Sequence, residues 1–387
     1  MMKCKTEKKE DRRVVECSNA IAHAVRQCKP GVIPAYPITP QTHIVEDIAE
    51  MIAKDELKAE LIDVESEHSA MSAAIGASAT GVRTFTASSS QGIGLMHEMI
   101  FIAAGMRLPI VMAVANRTLS APINIWNDHS DTMAERDSGW IQLYCENSQE
   151  AYDTSIMAYK IAENKKVMLP VMVCIDGFTL SHLWEPVKFE DDKKVEQFVG
   201  KFVPLHTLDP SSPKTFGALA FPKDFMNFKK QQEDAIKNAI EVIGKINSDF
   251  KKSFGRDYGS GLIETYMMED AKEALIAMGS VCSTSRIVID KLRKQGKKVG
   301  LIKIKSFRPF PIEELRKIAK NLEGIAVIDR AMSLGSFGPL YLDVKTSIPN
   351  VQTNNFITSL GGRDINEEMI ESIISKIGQK QELEWIF

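Results

Sequence analysis

The chain has 387 residues, of which 44% are hydrophobic and 26% are charged, and its formal net charge at pH 7 is −3. This composition is typical of a soluble globular protein with two or three domains, and the even spread of Lys and Arg argues against a nucleic-acid-binding domain. No apolar run reaches the roughly 18 residues that a membrane span requires, so we expect no such span.

The N-terminal residues 1–13, MMKCKTEKKEDRR, predict a charged, solvated tail. No apolar stretch follows them, so we do not expect a signal peptide. No two of the six cysteines form a CxxC pair, which is typical neither of a disulfide framework nor of an iron–sulfur site. We therefore expect a reducing, cytoplasmic compartment, with any iron–sulfur chemistry on another polypeptide.

Strand-like and helical patterns alternate along the first part of the chain, from about residue 14. The predicted strands are Val32–Tyr36, Glu60–Val64, Arg83–Ala87, Pro109–Ala115 and Val167–Ile175. The predicted helices are Pro40–Lys54, Ser66–Ala79, Gln91–Ala104 and Gln149–Glu163. Runs such as PIVMAVA and VMLPVMVCI are almost continuously apolar, which predicts a parallel sheet covered by helices on both faces.

The pattern changes after about residue 185. Residues 185–250 predict a surface excursion of the first domain around one helix near Asp234–Lys245, and residues 251–261 predict a linker. A smaller α/β domain follows over residues 262–387. Its predicted elements are the strands Ala274–Ala277, Val299–Lys303, Ile325–Asp329 and Asn355–Ile357, the helices Ser283–Lys294 and Ile312–Asn321, and a last helix from Ile365.

Three polar residues each lie just past the carboxyl end of a predicted parallel strand, the edge at which open α/β sheets bind ligands. Thr39 falls where a helix N-cap belongs, with Pro40 as the first helical residue, and predicts either a plain cap or an anion site. Arg117 adds a positive charge suited to a carboxylate, and Glu67 opens a helix that we expect to be largely buried. An anion-binding pair beside a buried acid predicts a site for a small carboxylic acid.

Other motifs are less specific. The glycine pairs in SQGIG and SLGSFG lack the complete dinucleotide-binding pattern, and we interpret them as tight turns that open helices. The segment NDHSD at 127–131 offers Asp128, His129 and Asp131 either to a metal ion or to a hydrogen-bonded loop, and the spacing favours the loop. No GxSxG elbow is present, so serine hydrolase chemistry is unsupported.

Longer segments carry a family resemblance. The first domain resembles the alpha subunit of multi-subunit pyruvate:ferredoxin oxidoreductases (pyruvate synthases) in AYPITPQTHIVE, VESEHSAMSAAIGASATGVRTFTASSSQGIGLMHE, RLPIVMAVANRTLSAPINIWNDHSD, RDSGWIQLYCENSQEAYD and LPVMVCIDGFTLSH. The second domain continues the likeness in IKSFRPFP and VIDRAMSLGSFGPL, so that the resemblance covers nearly the whole chain.

The resemblance implies an α/β fold in which a thiamine-diphosphate pyrimidine-binding domain over 14–250 precedes a transketolase C-terminal-like domain over 262–387. It also implies the reversible conversion of pyruvate, coenzyme A and oxidised ferredoxin to acetyl-CoA, carbon dioxide and reduced ferredoxin. Thiamine diphosphate would be shared with a beta subunit that holds its diphosphate and Mg²⁺, and 4Fe–4S clusters would lie on other subunits. The implied partners are beta, gamma and delta subunits, with ferredoxin as the electron acceptor.

The resemblance also assigns roles to single residues. Glu67 matches the acid that contacts the pyrimidine ring and assists its proton transfer, with Glu65 as a rival acid close by in the sequence. Thr39 and Arg117 match the residues that bind the carboxylate and carbonyl groups of the substrate. The dipeptide Ser90–Gln91 falls in a family motif near the cofactor.

Arg308, in the segment FRPFP, is expected at the interface between the two domains rather than in the site. Two alternatives to a pyruvate-specific enzyme stay open. The first keeps the chemistry and changes the substrate to another 2-oxo acid, such as 2-oxoglutarate, 2-oxoisovalerate or oxalate. The second is a non-catalytic, transketolase-like assembly subunit.

Overall fold

Two mostly parallel β-sheets organise the chain in the computed structural model, which describes residues 11–387. The strands of the first part are β1 (Asp11–Glu16), β2 (Val32–Ala35), β3 (Glu60–Asp63), β4 (Phe85–Ser88), β5 (Val111–Asn116), β6 (Ile141–Tyr144), β7 (Val171–Asp176) and β8 (Trp184–Phe189). Its helices are α1 (Cys17–Cys28), α2 (Thr42–Ala53), α3 (Glu67–Ala79), α4 (Ser90–Gly105), α5 (Ser130–Ala134), α6 (Ser148–Ala162), α7 (Asp192–Val199) and α8 (Pro222–Phe254).

The first sheet is parallel from β4 through β5 and β7 to β6. A bridge between Val32 and Thr84 places β2, with its parallel partner β3, beside β4. Strands β1 and β8 form a separate antiparallel pair. The predicted tail of residues 1–13 lies mostly outside the described residues, and its last three residues, Asp11–Arg13, begin β1.

The second part of the chain folds around its own sheet. Its strands are β9 (Ile263–Tyr266), β10 (Glu273–Ala277), β11 (Val299–Ile304), β12 (Ser306–Arg308), β13 (Gly324–Asp329), β14 (Gln352–Ile357) and β15 (Leu383–Trp385). Its helices are α9 (Val281–Lys294), α10 (Ile312–Ile318), α11 (Pro339–Ser347) and α12 (Glu367–Ser375), with short 3-10 turns at Ala319–Asn321 and Leu360–Gly362. The strand order is β15–β14–β13–β10–β11–β9, and β9 is antiparallel to its neighbour.

The apolar strands of the first sheet are buried on both faces, as their sequence predicted. In β5, Val111, Ala113 and Ala115 pack into the core formed with α1, α6 and α8. The alternate residues Met112 and Val114 pack on the other face with α3 and α4. A strand buried on two faces has no room for polar alternation, which is why its sequence is continuously apolar.

The two parts of the chain share one apolar core. The cluster that holds α3 and α4 also includes Ile302 and Phe307 of the second part. Strand β12 crosses over to pair with β6, so the first sheet gains a strand from the second part. Arg308 lies at this junction, where Nε donates to the carbonyl of Arg136 at 3.2 Å and Nη1 donates to Asp343 at 3.0 Å.

Helix α8 is much longer than predicted. The prediction placed a helix near Asp234–Lys245, whereas α8 spans Pro222–Phe254 and enters the segment 251–261 that was expected to be a linker. Its N-terminal turns are exposed, and the sequence analysis had assigned them to the surface excursion. Within residues 11–387, every helix is too short or too polar to cross a lipid bilayer.

A buried ionic network joins the two parts beside the shared core. Lys303 Nζ lies 2.8 Å from Glu146 and 2.7 Å from Glu150, and all three side chains are buried. Lys305 Nζ lies 2.8 Å from the other oxygen of Glu150. Removing one partner would leave an uncompensated buried charge, so we expect the loss of any one of these side chains to destabilise the protein strongly.

Glu150 carries a prediction for acid stability. Burial alone would raise its pKa, but Lys303 and Lys305 outweigh this effect and lower the pKa of the carboxyl group to about 2. A lowered pKa contributes stability that is present above the ordinary value of 4.5 and is lost as the pH falls toward 2. We expect the free energy of unfolding to fall by about 3 kcal/mol across this window, as measured by chemical unfolding at each pH.

The substitution Glu150→Gln should lower stability at pH 6 and remove most of this pH dependence. The control is Glu196→Gln, because Glu196 pairs with Lys29 at 2.9 Å on the exposed surface. It should change the free energy of unfolding by less than about 1 kcal/mol. An identical slope of stability against pH in Glu150→Gln and in the unaltered protein would contradict the expectation.

Candidate active site

Four adjacent parallel strands end at one edge of the first sheet, in the order β3, β2, β4 and β5. Glu67 follows β3, Thr39 follows β2, Ser90 follows β4 and Arg117 follows β5. The structure therefore confirms that the three residues singled out as a carboxylic-acid site lie at the carboxyl ends of neighbouring strands. It adds Ser90, which follows β4 and begins helix α4.

Thr39 and Arg117 are in contact. Arg117 Nη1 donates to the carbonyl oxygen of Thr39 at 3.0 Å, and Nε donates to the carbonyl of Asn124 at 3.0 Å. Nη2 has no hydrogen-bond partner among residues 11–387, although the residue is only 7% exposed. Burial lowers the pKa of Arg117, while Asp131 acts in the opposite direction, and a guanidinium stays charged at neutral pH.

The expectation that Thr39 caps helix α2 is wrong. The helix begins at Thr42, and Gln41 occupies the N-cap position without a side-chain cap. The backbone N–H of Gln41 donates to the carbonyl of Ile38 at 2.9 Å, so the chain makes a turn through Thr39 and Pro40 before the helix starts. The side chain of Thr39 is exposed at the strand edge and is not engaged as a cap.

Glu67 and Glu65 differ sharply in their surroundings. Glu67 is the first residue of α3 and is 6% exposed, and no hydrogen bond to its carboxyl group comes from the described part of the chain. Glu65 is exposed, and the hydroxyl of Ser69 donates to it at 2.5 Å and lowers its pKa. The buried, unpaired acid of the pair is therefore Glu67.

Gly92, in α4, makes room for the carboxyl group of Glu67. A Cβ atom at Gly92 would lie 2.6 Å from Glu67 Oε1, closer than carbon and oxygen approach without displacement, and it would also clash with Ser88 Oγ. We expect Gly92→Ala to displace Glu67 and to lower by about tenfold or more any turnover that depends on this acid. Steady-state kinetics measure this effect.

Gly76 supplies the matched control in the neighbouring helix α3. A Cβ atom there would meet no atom within 4 Å, so Gly76→Ala should keep full turnover. Alanine in a helix interior is favoured over glycine, which should raise stability by about 0.5–1 kcal/mol. Equal turnover in the two alanine variants would show that the space beside Glu67 does not matter.

Ser90 and Gln91 connect helix α4 to the loop after β5. Ser90 has φ +48°, a left-handed conformation that costs a non-glycine residue about 1–2 kcal/mol. Its hydroxyl bonds the carbonyl of Thr118, and the amide of Gln91 bonds the hydroxyl of Ser120. Contact of these two residues with a cofactor stays a prediction.

The segment 127–131 is a hydrogen-bonded turn that runs into helix α5. Its side chains have separate partners: Asp128 accepts from Ser130 at 2.9 Å, and His129 Nε2 lies 2.9 Å from Asp176. In the described residues, no group of three or more His, Cys, Asp and Glu side chains is arranged to hold a metal ion. Two side chains of this segment contact other segments instead: Asp131 accepts from Asn116 at the end of β5, and Asn127 accepts from Arg330 of the second part.

Sequence reasoning missed the role of Asp131. This carboxyl group is fully buried behind the site and accepts hydrogen bonds from Asn116 and from the backbone of Ser90 and Arg117. Burial raises its pKa to about 6, although these hydrogen bonds act in the opposite direction. The only sequence signal was its place in NDHSD, which suggested a metal or a loop rather than a support for Arg117.

Comparison with known families gives two matches. Residues 23–248 match "Pyruvate flavodoxin/ferredoxin oxidoreductase, thiamine diP-bdg", and residues 271–370 match "Pyruvate:ferredoxin oxidoreductase core domain II". The chain belongs to the pyruvate flavodoxin/ferredoxin oxidoreductase family. Its first domain is thus the thiamine-diphosphate-binding domain of this family, and the resemblance stated from the sequence is confirmed.

Members of the family match the chain over almost its whole length. Pyruvate synthase subunit PorA of Methanocaldococcus jannaschii is 52% identical over 96% of each chain. The protein of the same name in Thermotoga maritima is 49% identical over 93% of each chain. Ketoisovalerate oxidoreductase subunit VorA of Pyrococcus horikoshii is 44% identical over 97% of each chain.

Solved structures with low sequence identity share the fold of the family. A 2-oxoglutarate:ferredoxin oxidoreductase from Magnetococcus marinus has a TM-score of 0.72 at 18% identity, over 95% of this chain and 65% of that chain. A split-gene transketolase has a TM-score of 0.57 at 12% identity, over 94% of this chain and 97% of that chain. The expectation of a transketolase-like α/β architecture is confirmed.

Proposed function

We propose that this chain is the alpha subunit of a pyruvate synthase. The complex converts pyruvate, coenzyme A and oxidised ferredoxin reversibly to acetyl-CoA, carbon dioxide and reduced ferredoxin. One observation carries the proposal: a buried, unpaired acid and an anion-binding arginine lie at one sheet edge, in a chain 52% identical to a PorA subunit.

Arg117 and Thr39 bind the 2-oxo acid. The guanidinium uses Nε and Nη1 to fix itself to backbone carbonyls, which leaves Nη2 to donate to a carboxylate oxygen. The hydroxyl of Thr39 lies on the exposed turn to which Arg117 is bonded, where it donates to the same small anion. Two donors held by backbone contacts orient the substrate with little loss of freedom on binding.

Glu67 would hold the pyrimidine end of thiamine diphosphate. Its carboxyl group occupies the room that the missing Cβ of Gly92 leaves, and it is buried without a donor from residues 11–387, so it would be free to bond a ring nitrogen of the cofactor. Glu67 holds or passes the proton at that ring nitrogen. When bound, thiamine diphosphate supplies the electron sink for cleavage of the carbon–carbon bond.

A beta subunit completes the site. We assign the diphosphate and Mg²⁺ to that subunit, and gamma and delta subunits to the same complex. The rim of the site supports such a partner, because Ile123, Trp126 and Leu95 are 81%, 51% and 51% exposed around the loop that holds Arg117. A cluster of exposed large apolar side chains marks an interaction surface.

The 4Fe–4S clusters that pass electrons to ferredoxin lie on other subunits. The described cysteines, Cys17, Cys28, Cys145, Cys174 and Cys282, are free and buried in the core of this chain. Burial raises the pKa of each of these thiols, so the protonated form, which does not ligate iron, is favoured. Free thiols also fit a cytoplasmic location of the complex.

A second candidate substrate is a branched 2-oxo acid. The 44% identity to Ketoisovalerate oxidoreductase subunit VorA favours 2-oxoisovalerate as the alternative, with the same roles for the site residues. Arg117 and Thr39 bind the carboxylate that all 2-oxo acids share, so they do not separate pyruvate from a larger acid. The rest of the substrate pocket is completed by the beta subunit.

Purification of the tagged chain from its native cells under anaerobic conditions tests the proposal. The eluate is assayed for viologen reduction with coenzyme A and, in parallel, with pyruvate, 2-oxoglutarate, 2-oxoisovalerate and oxalate. We expect dye reduction with pyruvate and co-elution of smaller subunits that carry iron–sulfur clusters. Reduction with 2-oxoisovalerate alone would identify that acid as the substrate in place of pyruvate. No activity with any acid would favour a non-catalytic assembly subunit.

A further inference from the structure

We infer that Asp131 is a positioning residue for the reaction, which holds the base of Arg117 and the start of helix α4 in the arrangement that binds the 2-oxo acid. The inference rests on the proposed function, because Asp131 acts through Arg117 and does not itself reach the exposed edge of the sheet. It concerns a side chain for which the sequence suggested no such role.

Both oxygens of Asp131 accept two hydrogen bonds each. Oδ1 accepts from Nδ2 of Asn116 and from the backbone N–H of Thr132, both at 2.8 Å. Oδ2 accepts from the backbone N–H groups of Ser90 and Arg117, both at 3.0 Å. From helix α5, the carboxylate therefore ties the first residue of α4 to the residue that follows β5.

This bridge fixes the position of the Arg117 backbone, from which the side chain extends. Oδ2 fixes the backbone nitrogen of Arg117, and the guanidinium of the same residue reaches the carbonyl of Thr39 at 3.0 Å. The same oxygen holds Ser90 in its left-handed conformation. A shift of Asp131 therefore moves two segments of the candidate site at once.

An amide cannot replace this carboxylate, because all four partners of Asp131 are N–H donors. In Asp131→Asn, the new NH₂ group faces two of those donors, since an amide has only one acceptor oxygen. Two N–H donors that face each other repel, so the backbone or side chain that donated to that oxygen is displaced. The substitution changes few atoms and leaves the apolar core intact.

Asp329 offers a matched control in the second part of the chain. It is also buried, and it accepts from the backbone N–H groups of Leu340 and Tyr341 and from Nδ2 of Asn355, at 2.8–3.0 Å. Burial raises the pKa of both acids, to about 6 for Asp131 and to about 7 for Asp329. Asp329→Asn thus also removes a buried acceptor oxygen, but the hydrogen-bond partners it disturbs do not include Arg117 or Ser90.

The test compares the assembled complex carrying Asp131→Asn or Asp329→Asn with the unaltered complex. The readouts are kcat, the KM for pyruvate, the KM for coenzyme A, and the midpoint of thermal unfolding. For Asp131→Asn we expect the KM for pyruvate to rise tenfold or more, beyond any fall in kcat, with the KM for coenzyme A unchanged. Asp329→Asn should lower the unfolding midpoint without changing either KM.

Two outcomes overturn the inference. One is a loss of kcat and of thermal stability in Asp131→Asn with an unchanged KM for pyruvate, and the other is no kinetic effect. If Asp131→Asn does not assemble, Asn116→Ala removes one of the four hydrogen bonds and should raise the KM for pyruvate about threefold; an unchanged KM there also overturns the inference. Failure of the unaltered complex to use pyruvate rejects the proposed substrate instead, and the comparison is then made on the acid it does use.

Discussion

Glu67→Gln is expected to lower turnover of the assembled complex with pyruvate by at least about 100-fold, because proton transfer by a positioned side chain contributes that much or more. Glutamine keeps the size of the side chain and its place at the start of α3, but it cannot take up or release the proton. The complex should still assemble, since no hydrogen bond from residues 11–387 to this carboxyl group is lost. Anaerobic viologen reduction, with the thiamine content of the complex measured alongside, checks the prediction.

Glu65→Gln is the control for this experiment. Glu65 is exposed in the turn before α3 and is bonded to Ser69, so its substitution should leave turnover within about twofold. Normal activity in Glu67→Gln would remove the proposed role of that acid. Loss of activity in Glu65→Gln with normal activity in Glu67→Gln would transfer the role to the exposed residue.

Arg117→Lys is expected to lower kcat/KM for pyruvate by roughly 10- to 150-fold, mainly through KM. A hydrogen bond to a charged group is worth about 1.5–3 kcal/mol, which corresponds to this range. An ammonium group keeps the charge, but it lacks the planar fork with which Arg117 bonds the carbonyls of Thr39 and Asn124 while Nη2 stays available. Steady-state kinetics with pyruvate as the varied substrate measure the change.

Arg107 provides the matched control for Arg117. It is half-buried, burial lowers its pKa as it does that of Arg117, and its guanidinium donates to the carbonyls of Val167 and Met168 at the other end of the sheet. Arg107→Lys should therefore lower thermal stability and leave the KM for pyruvate unchanged. A KM that rises equally in the two lysine variants would mean that the effect of Arg117→Lys is structural.

The elements that were predicted best are those with a continuous apolar pattern. Strands β5 and β7 were predicted within a few residues of their true bounds, because both are apolar up to their last residue. Strand β6 was missed because it is short and contains Gln142, whose buried amide donates to the carbonyl of Thr132 at 2.8 Å. Only the tertiary fold places that acceptor beside the strand, so the local pattern did not predict this strand.

The sequence by itself determined the parallel sheet, the edge at which its polar residues collect, and the family. These features depend on local patterns and on long motifs, both of which are readable along the chain. It did not determine that Thr39 lies in a turn instead of capping α2. That turn is closed by a backbone hydrogen bond from Gln41 to Ile38, which the residue types do not reveal.

The tertiary structure alone decided which groups are buried and which are bonded. It separated buried Glu67 from exposed Glu65, two acids with the same local pattern, because α4 packs only against the first. It also revealed Asp131, whose partners Arg117 and Ser90 are 14 and 41 residues away in the chain. The physical reason is that burial and hydrogen bonding depend on which segments the strand order brings together, and a local pattern does not specify that order.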